Sequence, residues 1–301
     1  MQFHLRLLFW IVVLLSGLST SDVGVMALPP QSSEKTDFQF FLTAFGKGDS
    51  PAALQEMGLS VLVDKTPAQV KAVRSAKDDP LLFAVLVDIS RSNASMADSI
   101  KEAALQIFQR LSSIQNQGYL VLFSSEVVVS PNPISVSQAK QALDSASFQE
   151  GGTAVYDAIE QICKHRLSRS GNPAKPRRVI LLISDGEDNA SRVTHTRAEQ
   201  AALEEGVSVF SLVIRAPFPI TGPLPGRHGE EFLKEVSQKT GGFSTDKDLK
   251  KAVLVSLTAV EAEWVVTFAP VQSADKALHE LTVKSTQKGV HIYAPYAVLL
   301  Q

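Results

Sequence analysis

The sequence predicts an α/β protein: a doubly wound, mostly parallel sheet accompanied by a small β module. Two apolar runs, Leu81–Val87 and Val179–Ile183, show no alternation of polar and apolar residues. This is typical of strands that are buried on both faces of a parallel sheet. From Leu81 to Ala262, strand-like and helix-like segments alternate, as they do in α/β domains. Strand-like segments bracket this stretch on both sides, which indicates the separate β module.

The first 27 residues are predicted to be a signal peptide. His4 and Arg6 precede an apolar core, Leu7–Leu18, which is shorter than the roughly 20 residues of a membrane span. Val25-Met26-Ala27 fits a small-x-small cleavage site. We therefore expect an exported protein, periplasmic or secreted, that keeps no membrane span after cleavage. An uncleaved N-terminal anchor is the alternative, because the basic flank is thin.

Composition and charge describe an ordinary globular chain. Of 301 residues, 45% are hydrophobic and 20% are charged. The net charge of -2 leaves no excess of basic side chains to neutralise phosphates, which argues against a nucleic-acid partner. Cys163 is the only cysteine, so the chain forms no intramolecular disulfide. Cys163 lies on the apolar face of a predicted helix and is expected in the core.

Residues 28–79 are predicted to form an N-terminal β segment and residues 263–301 a C-terminal one. The predicted strands of the two segments are Phe38–Phe45, Leu59–Val63, Val70–Val73, Trp264–Phe268, Leu281–Lys284 and Val290–Tyr293. Because they bracket the α/β domain, we expect the two segments to lie against each other or to extend its sheet.

Residues 80–262 carry the α/β domain. Its predicted elements after the first strand are a helix entered through a capping-box-like Ser95 and Asp98, a hairpin of Tyr119–Phe123 with Val127–Val129, helices at Ser135–Ser145 and around Cys163, the strand Val179–Ile183, a helix at Thr196–Glu205, the strand Val207–Ile214, helices at Glu230–Lys239 and Leu249–Ala262, and a short strand at Gly241–Ser244.

Oxygen-bearing side chains follow both buried strands. Asp88, Ser90 and Ser92 come at every second position, so on extended backbone they would point the same way. Asp185 ends the second strand, and ligands of open α/β sheets bind at this edge. Thr153 follows two glycines at the start of a predicted helix. It could add a hydroxyl from a third loop to this group, or it could cap its helix. Converging oxygens suit a hard cation, whereas the plain alternative is a polar loop.

These residues carry a resemblance to a known family. Asp88-Ile89-Ser90-Arg91-Ser92, Thr153 and Asp185-Gly186 resemble the complete metal-ion-dependent adhesion site of von Willebrand factor type A domains. The likeness covers roughly Leu81 to Ala262. It implies a six-stranded sheet in the order 3-2-1-4-5-6 with one antiparallel edge strand.

The chain is most similar to the bacterial exported "VWFA-related" family, which couples such a domain to flanking strands. Val63-Asp64-Lys65, the run Ser184–Asn189 and a closing hairpin near Leu281–Tyr293 are similar to landmarks of that family.

The resemblance implies a cation site that binds a protein. Asp88, Ser90, Ser92, Thr153 and Asp185 would hold the metal, most readily Mg²⁺, with Mn²⁺ and Ca²⁺ as alternatives. An open coordination position would then accept an Asp or Glu carboxylate from a partner protein.

Three arginines are predicted at the rim of this site. Arg91 stands where the family often has Gly, and it would either clamp an incoming carboxylate or weaken the metal by repulsion. Arg215 and Arg227 belong to a proline-rich connection that leaves a strand at the same end of the sheet. The alternative for this connection is a stiff surface loop.

Two other functions compete with adhesion. A hydrolase with an aspartyl nucleophile at Asp88 would need a second acid two residues later, where Ser90 stands. The chain has no Gly-x-Ser-x-Gly elbow and no phosphate-binding loop, and its histidines are expected to be solvated, so we predict no enzyme. The second alternative is a metal-free scaffold of an envelope complex.

Overall fold

The computed structural model describes residues 37–47, 50–54, 58–148, 151–169, 176–215, 228–269 and 277–300. The predicted signal peptide and Arg227 lie outside these ranges. Residues Lys35–Gln301 form one compact unit. None of the helices in the described ranges is long and apolar enough to cross a bilayer.

The strands are β1 (Phe38–Phe45), β2 (Leu59–Val63), β3 (Thr66–Ala68), β4 (Val70–Ser75), β5 (Leu81–Asp88), β6 (Gln117–Phe123), β7 (Val127–Val129), β8 (Arg177–Ser184), β9 (Ser208–Val213), β10 (Ser244–Thr245), β11 (Trp264–Phe268), β12 (Leu278–Ser285), β13 (His291–Tyr293) and β14 (Ala297–Leu299). The helices are α1 (Ala97–Leu111), α2 (Val136–Ser145), α3 (Val155–His165), α4 (His195–Glu205), α5 (His228–Lys239) and α6 (Leu249–Glu261), and a 3₁₀ helix covers Arg91–Met96.

The central sheet has the strand order β10-β9-β8-β5-β6-β7. Neighbouring strands are parallel except for β7, which pairs antiparallel with β6 at the edge. When the six strands are renumbered 1 to 6 along the chain and read from the β7 edge, the order is 3-2-1-4-5-6, as the resemblance implied. The predicted doubly wound, mostly parallel sheet with an antiparallel edge strand is confirmed.

The two faces of β5 belong to two separate cores. Phe83 and Val85 pack with side chains of α1 and α6 on one face. Ala84 and Leu86 pack with side chains of α3, α4 and α5 on the other. Every residue of β5 is buried, which explains why its sequence is a continuous apolar run.

The flanking segments form two antiparallel sheets, ordered β13-β1-β11-β4 and β14-β12-β2-β3. Strand β1 pairs with β11, and β2 pairs with β12, so each sheet combines both segments. The ring of Phe268 lies 5.8 Å from Phe38 and 5.9 Å from Phe40, centroid to centroid. The segments therefore lie against each other, as predicted, and do not extend the central sheet.

Three local predictions are wrong. The closing hairpin does not form, because both edges of β12 are occupied by β2 and β14 while β13 pairs with β1. Helix α1 has no capping box, since the 3₁₀ helix leads into it and its N-cap, Met96, makes no side-chain cap bond. His279 is buried rather than solvated, with Nδ1 2.6 Å from Asp64 Oδ2.

Candidate metal centre

The candidate site lies at the carboxyl ends of β5 and β8, which are parallel neighbours. Their register pairs Val87 with Ile183, so Asp88 and Ser184 end the two strands at the same level. Ser184 Oγ donates a 2.7 Å hydrogen bond to Asp88 Oδ2. Asp88 is fully buried, and the neighbouring strand thus fixes its carboxylate.

The loop after β5 brings two hydroxyls together. The Ser90 N–H donates to Asp88 Oδ1 at 2.9 Å, and Asn93 Nδ2 donates to Ser90 Oγ at 3.2 Å. Ser90 Oγ and Ser92 Oγ lie 3.1 Å apart. The predicted extended backbone is wrong here, because the 3₁₀ helix begins at residue 91. The tight turn of that helix, rather than strand alternation, places Ser92 beside Ser90.

Asp185 joins this group from the loop after β8. Ser92 Oγ donates to Asp185 Oδ2 at 2.9 Å, while Asp185 Oδ1 accepts the Glu187 N–H at 3.1 Å. A continuous chain of hydrogen bonds therefore runs from Asp88 through Ser90 and Ser92 to Asp185.

Thr153 is tied to the same loop through its backbone. Its N–H donates to Asn189 Oδ1 at 2.8 Å, and its carbonyl accepts the N–H groups of Asn189 and Ala190 at 3.0 and 3.1 Å. Thr153 is not the cap of α3, because the N-cap position is Ala154. Its side chain is 5% exposed, and among the described residues no hydrogen bond engages its hydroxyl.

The start of α3 is capped by the loop after β8. Asp188 Oδ2 accepts the Tyr156 N–H at 3.1 Å, and Ser191 Oγ accepts the Asp157 N–H at 3.0 Å. Asp157 Oδ1 in return accepts the Arg192 N–H at 2.9 Å. These bonds satisfy N–H groups that a helix start leaves open, and they hold the Thr153 loop against the Asp185 loop.

Sequence reasoning did not assign this supporting layer. Its members are Asn93, Ser184, Asp188, Asn189 and Ser191, each of which bonds a predicted site residue or its loop. The available signal is the polar run Ser184–Asn189, which directly follows the apolar run Val179–Ile183.

Gly186 lets the loop turn directly behind Asp185. Its φ of +81° lies in the left-handed region, which favours glycine. A Cβ at this position would lie 2.3 Å from the Gly229 carbonyl oxygen at the start of α5. The close approach of these two backbones leaves no space for a side chain at residue 186.

The electrostatics of the site suit a cation. Burial raises the pKa of Asp88 to about 6; hydrogen bonds from Ser90 and Ser184 oppose the rise, and the nearby charge of Asp185 adds to it. In the described part of the chain, no Lys or Arg forms an ion pair with Asp88. Two carboxylates and hydroxyl oxygens, without nitrogen or sulfur donors, fit a hard divalent ion. Within the described ranges, no cluster of three or more His, Cys, Asp or Glu side chains offers a metal site, so the candidate site depends on hydroxyl oxygens beside its two carboxylates.

The predicted rim arginines differ in their surroundings. Arg91 is exposed on the 3₁₀ helix. Arg215 donates from Nε and Nη2 to the two carboxylate oxygens of Glu230 at 2.9 and 3.0 Å, and its Nη2 lies 2.8 Å from Asp246 Oδ2. These two carboxylates raise the pKa of Arg215. Arg227 lies outside the described residues.

Residues 83–262 match the sequence profile of the von Willebrand factor type A domain family. No curated protein sequence gives a significant match.

Similar solved structures were also found. An aerotolerance-related membrane protein from Bacteroides fragilis is 21% identical, with a TM-score of 0.46 over 60% of this chain and 98% of that one. Proximal thread matrix protein 1 from the mussel byssus, solved with a zinc-occupied MIDAS motif, is 16% identical, with a TM-score of 0.50 over 67% and 50%. A von Willebrand factor type A protein from Catenulispora acidiphila is 12% identical, with a TM-score of 0.49 over 88% and 74%.

Proposed function

The chain belongs to the von Willebrand factor type A domain family, and on this premise we propose that it is an exported, non-catalytic protein that binds a divalent cation and, through it, a partner protein. The proposed ligands are Asp88, Ser90, Ser92, Thr153 and Asp185. The observation that carries the proposal is the hydrogen-bond chain from Asp88 to Asp185, because it gathers oxygens from two loops at one point.

The proposed ligands differ in charge. Ser90, Ser92 and Thr153 would offer neutral oxygens, and the two aspartates would supply charge, in part through water. Mg²⁺ is the proposed ion, with Mn²⁺ and Ca²⁺ as alternatives. When bound, the ion supplies a Lewis-acidic position for a further oxygen. Because the protein contributes only two carboxylates, an Asp or Glu side chain of the partner is a favourable additional ligand.

The proposed organisation follows the sequence. Residues 1–27 are a signal peptide, residues 80–262 are the binding domain, and residues 28–79 and 263–301 are the flanking β segments. The matched range, 83–262, supports the extent of the binding domain. Export to the periplasm or beyond the cell would place the site where it meets its partner.

Thermal unfolding tests the cation site. A ligand that binds only the folded protein stabilises it by RT ln(1 + [L]/Kd), so Mg²⁺ or Mn²⁺ should raise the Tm of the wild type over that in EDTA. Asp185→Asn should abolish this rise. Asp144→Asn, which changes an exposed aspartate paired with Lys140, is the matched control and should keep it. A wild-type Tm that is the same in Mg²⁺, Mn²⁺ and EDTA contradicts the proposal.

Acetate is a minimal carboxylate probe for the open position. In protein loaded with Mn²⁺, the paramagnetic ion should broaden the acetate NMR signal beyond the level seen with Asp185→Asn protein. Equal broadening in both would remove the carboxylate-binding part of the proposal while leaving the cation site intact.

A metal-free scaffold is the second candidate. Both Asp88 oxygens already accept protein hydrogen bonds, and the Ser92–Asp185 bond closes the site without an ion. Under this alternative, Asp185→Asn lowers the Tm equally in Mg²⁺ and in EDTA.

A further inference from the structure

A second polar pocket lies at the opposite end of the central sheet. It has a volume of about 210 Å³, and we call it the base pocket. Its lining includes two guanidinium groups and an apolar wall: Arg169, Arg178, Phe38, Phe40, Leu203 and Val298. Arg178 is the second residue of β8, whereas the candidate metal centre lies beyond the last residue of that strand. The two sites are therefore about 20 Å apart, given the rise of roughly 3.3 Å per residue.

Arg178 is buried, and no described carboxylate forms an ion pair with it. It is 7% exposed; its Nη1 donates to the Pro176 carbonyl at 3.0 Å, and its Nε is buried without a hydrogen-bond partner in the described part of the chain. A buried donor without an acceptor destabilises the fold, and more so when it is charged. Burial and the neighbouring charge of Arg169 lower the pKa of Arg178 to about 10, and the charge of Glu205 opposes the fall.

The acidic side chains nearby are already engaged. Asp37, which also lines the base pocket, lies 2.5 Å from Lys71 Nζ. Glu205 accepts the backbone N–H of Arg169 at 2.6 Å, and its other oxygen lies 3.7 Å from Lys164 Nζ. Within the described ranges, no carboxylate is in ion-pair distance of either guanidinium. Glu205 is thus a neighbouring charge for both arginines, but among the described residues neither guanidinium has a carboxylate as an ion-pair partner.

We propose that the base pocket binds the carboxylate of a small apolar acid, with Arg169 and Arg178 holding the carboxylate and the apolar wall receiving the hydrocarbon. A planar guanidinium matches a carboxylate through paired, charge-assisted hydrogen bonds. Phe38 is 7% and Phe40 3% exposed, so the wall belongs to the buried core. The volume of the base pocket is below the roughly 300–1,000 Å³ of pockets for drug-sized ligands, so we expect a ligand smaller than a typical drug molecule.

Hexanoate and its neutral amide, hexanamide, test the proposal on the whole protein by calorimetry and thermal shift. Hexanoate should bind and raise the Tm, whereas hexanamide should do neither. Inorganic phosphate should bind more weakly than hexanoate, because it leaves the apolar wall unused. Equal effects of hexanoate and hexanamide, or tighter binding of phosphate, would overturn the assignment.

Substitution of the arginines tests the contacts. Arg178→Met should weaken hexanoate binding by about tenfold or more, the loss of a charge-assisted hydrogen bond, without lowering the Tm of the ligand-free protein. A purely structural Arg178 would instead lower that Tm and leave the affinity for hexanoate unchanged. If Arg178→Met does not fold, Arg169→Met, at a half-buried arginine, is tested in the same way, by its affinity for hexanoate and its Tm without ligand.

Arg74→Met, at an exposed arginine paired with Asp79, is the matched control and should bind hexanoate as the wild type does. Asp185→Asn should bind hexanoate normally, so failure of the metal proposal leaves this one standing.

Discussion

Arg177 Nη1 lies 3.2 Å from Glu263 Oε2 in a buried ion pair whose side chains are 5% and 1% exposed. Arg177 is the first residue of β8, and Glu263 directly precedes β11, so the pair joins the central sheet to the flanking one. Arg177 Nη1 also donates to the Val260 carbonyl at 2.6 Å near the end of α6. One guanidinium thus holds the helix end and the strand start together.

The first prediction concerns pH. Burial raises the pKa of Glu263 to about 7, against the opposing effect of Arg177. Between pH 5 and pH 7 the folded protein keeps a proton that the unfolded chain releases, so the free energy of unfolding should fall as pH rises. The stability contributed by the protonated Glu263 is fully present below the pKa of this group in the unfolded chain. It is lost as pH rises through the pKa of Glu263 in the folded protein. The fall should be on the order of a kcal/mol or more.

Glu263→Gln provides the control, because it cannot ionise. Denaturant unfolding at pH 5 and pH 8 should show that the variant gains stability relative to the wild type at the higher pH. A wild-type protein that gains stability over the variant at pH 8 would show that the pair favours the ionised form.

The second prediction removes the cation. Arg177→Met should cost about 3–5 kcal/mol at pH 8, because it leaves Glu263 buried without its partner. The double variant Arg177→Met/Glu263→Gln should recover much of that loss, as measured by denaturant unfolding. Equal losses in the single and double variants would mean that packing of the Arg177 side chain, rather than its charge, is responsible.

The sequence predicted the layers of the fold better than the contacts that join them. Continuous apolar runs such as Leu81–Val87 report burial on both faces, which depends on local composition alone. The Arg177–Glu263 pair joins residues 86 positions apart, and neither flanking sequence carries a pattern that selects the partner. The edges of β12 are likewise filled by distant strands, so the local hairpin signal near Leu281 was overridden.

The third prediction concerns the loop that caps α3. Asp188 accepts hydrogen bonds from the Tyr156 N–H at 3.1 Å and from Ser191 Oγ at 2.6 Å. Asp188→Ala should destabilise the protein by about 1–2 kcal/mol, the cost of a lost helix cap. Asp144→Ala, at an exposed ion pair with Lys140, should cost less than about 0.5 kcal/mol. Equal costs would show that the cap is dispensable.

The fourth prediction compares two glycines with the same backbone requirement. Gly186 has a φ of +81° and Gly289 has a φ of +78°. A Cβ at residue 186 would lie 2.3 Å from the Gly229 carbonyl oxygen, whereas a Cβ at residue 289 would have no atom within 4 Å. Gly289→Ala should cost about 1 kcal/mol for the left-handed backbone. Gly186→Ala should cost clearly more, since the chain must also move away from α5. Equal Tm losses would mean that the Gly186 loop yields without strain.

The candidate site was predictable where it depends on strand ends. Asp88 ends β5 and Asp185 directly follows β8, and parallel neighbours bring their carboxyl ends to one edge. The approach of Ser90 to Ser92 was anticipated, but from an extended backbone that the structure replaces with a 3₁₀ turn. The roles of Asp188 and Asn189 depend on how two loops meet, which no spacing within either loop encodes.

The last prediction isolates the Thr153 hydroxyl. Its backbone bonds to Asn189 and Ala190 do not involve the side chain, so Thr153→Val should keep the loop in place. In EDTA, the free energy of unfolding should change by less than the roughly 0.5–1.5 kcal/mol that a typical hydrogen bond contributes, because the hydroxyl engages no other described residue. In Mg²⁺, the variant should lose most of the rise in Tm, whereas Thr153→Ser, which keeps the oxygen, should retain it. A full rise in Tm with Thr153→Val would exclude this hydroxyl from the ligand set, while the other proposed ligands remained testable through Asp185→Asn.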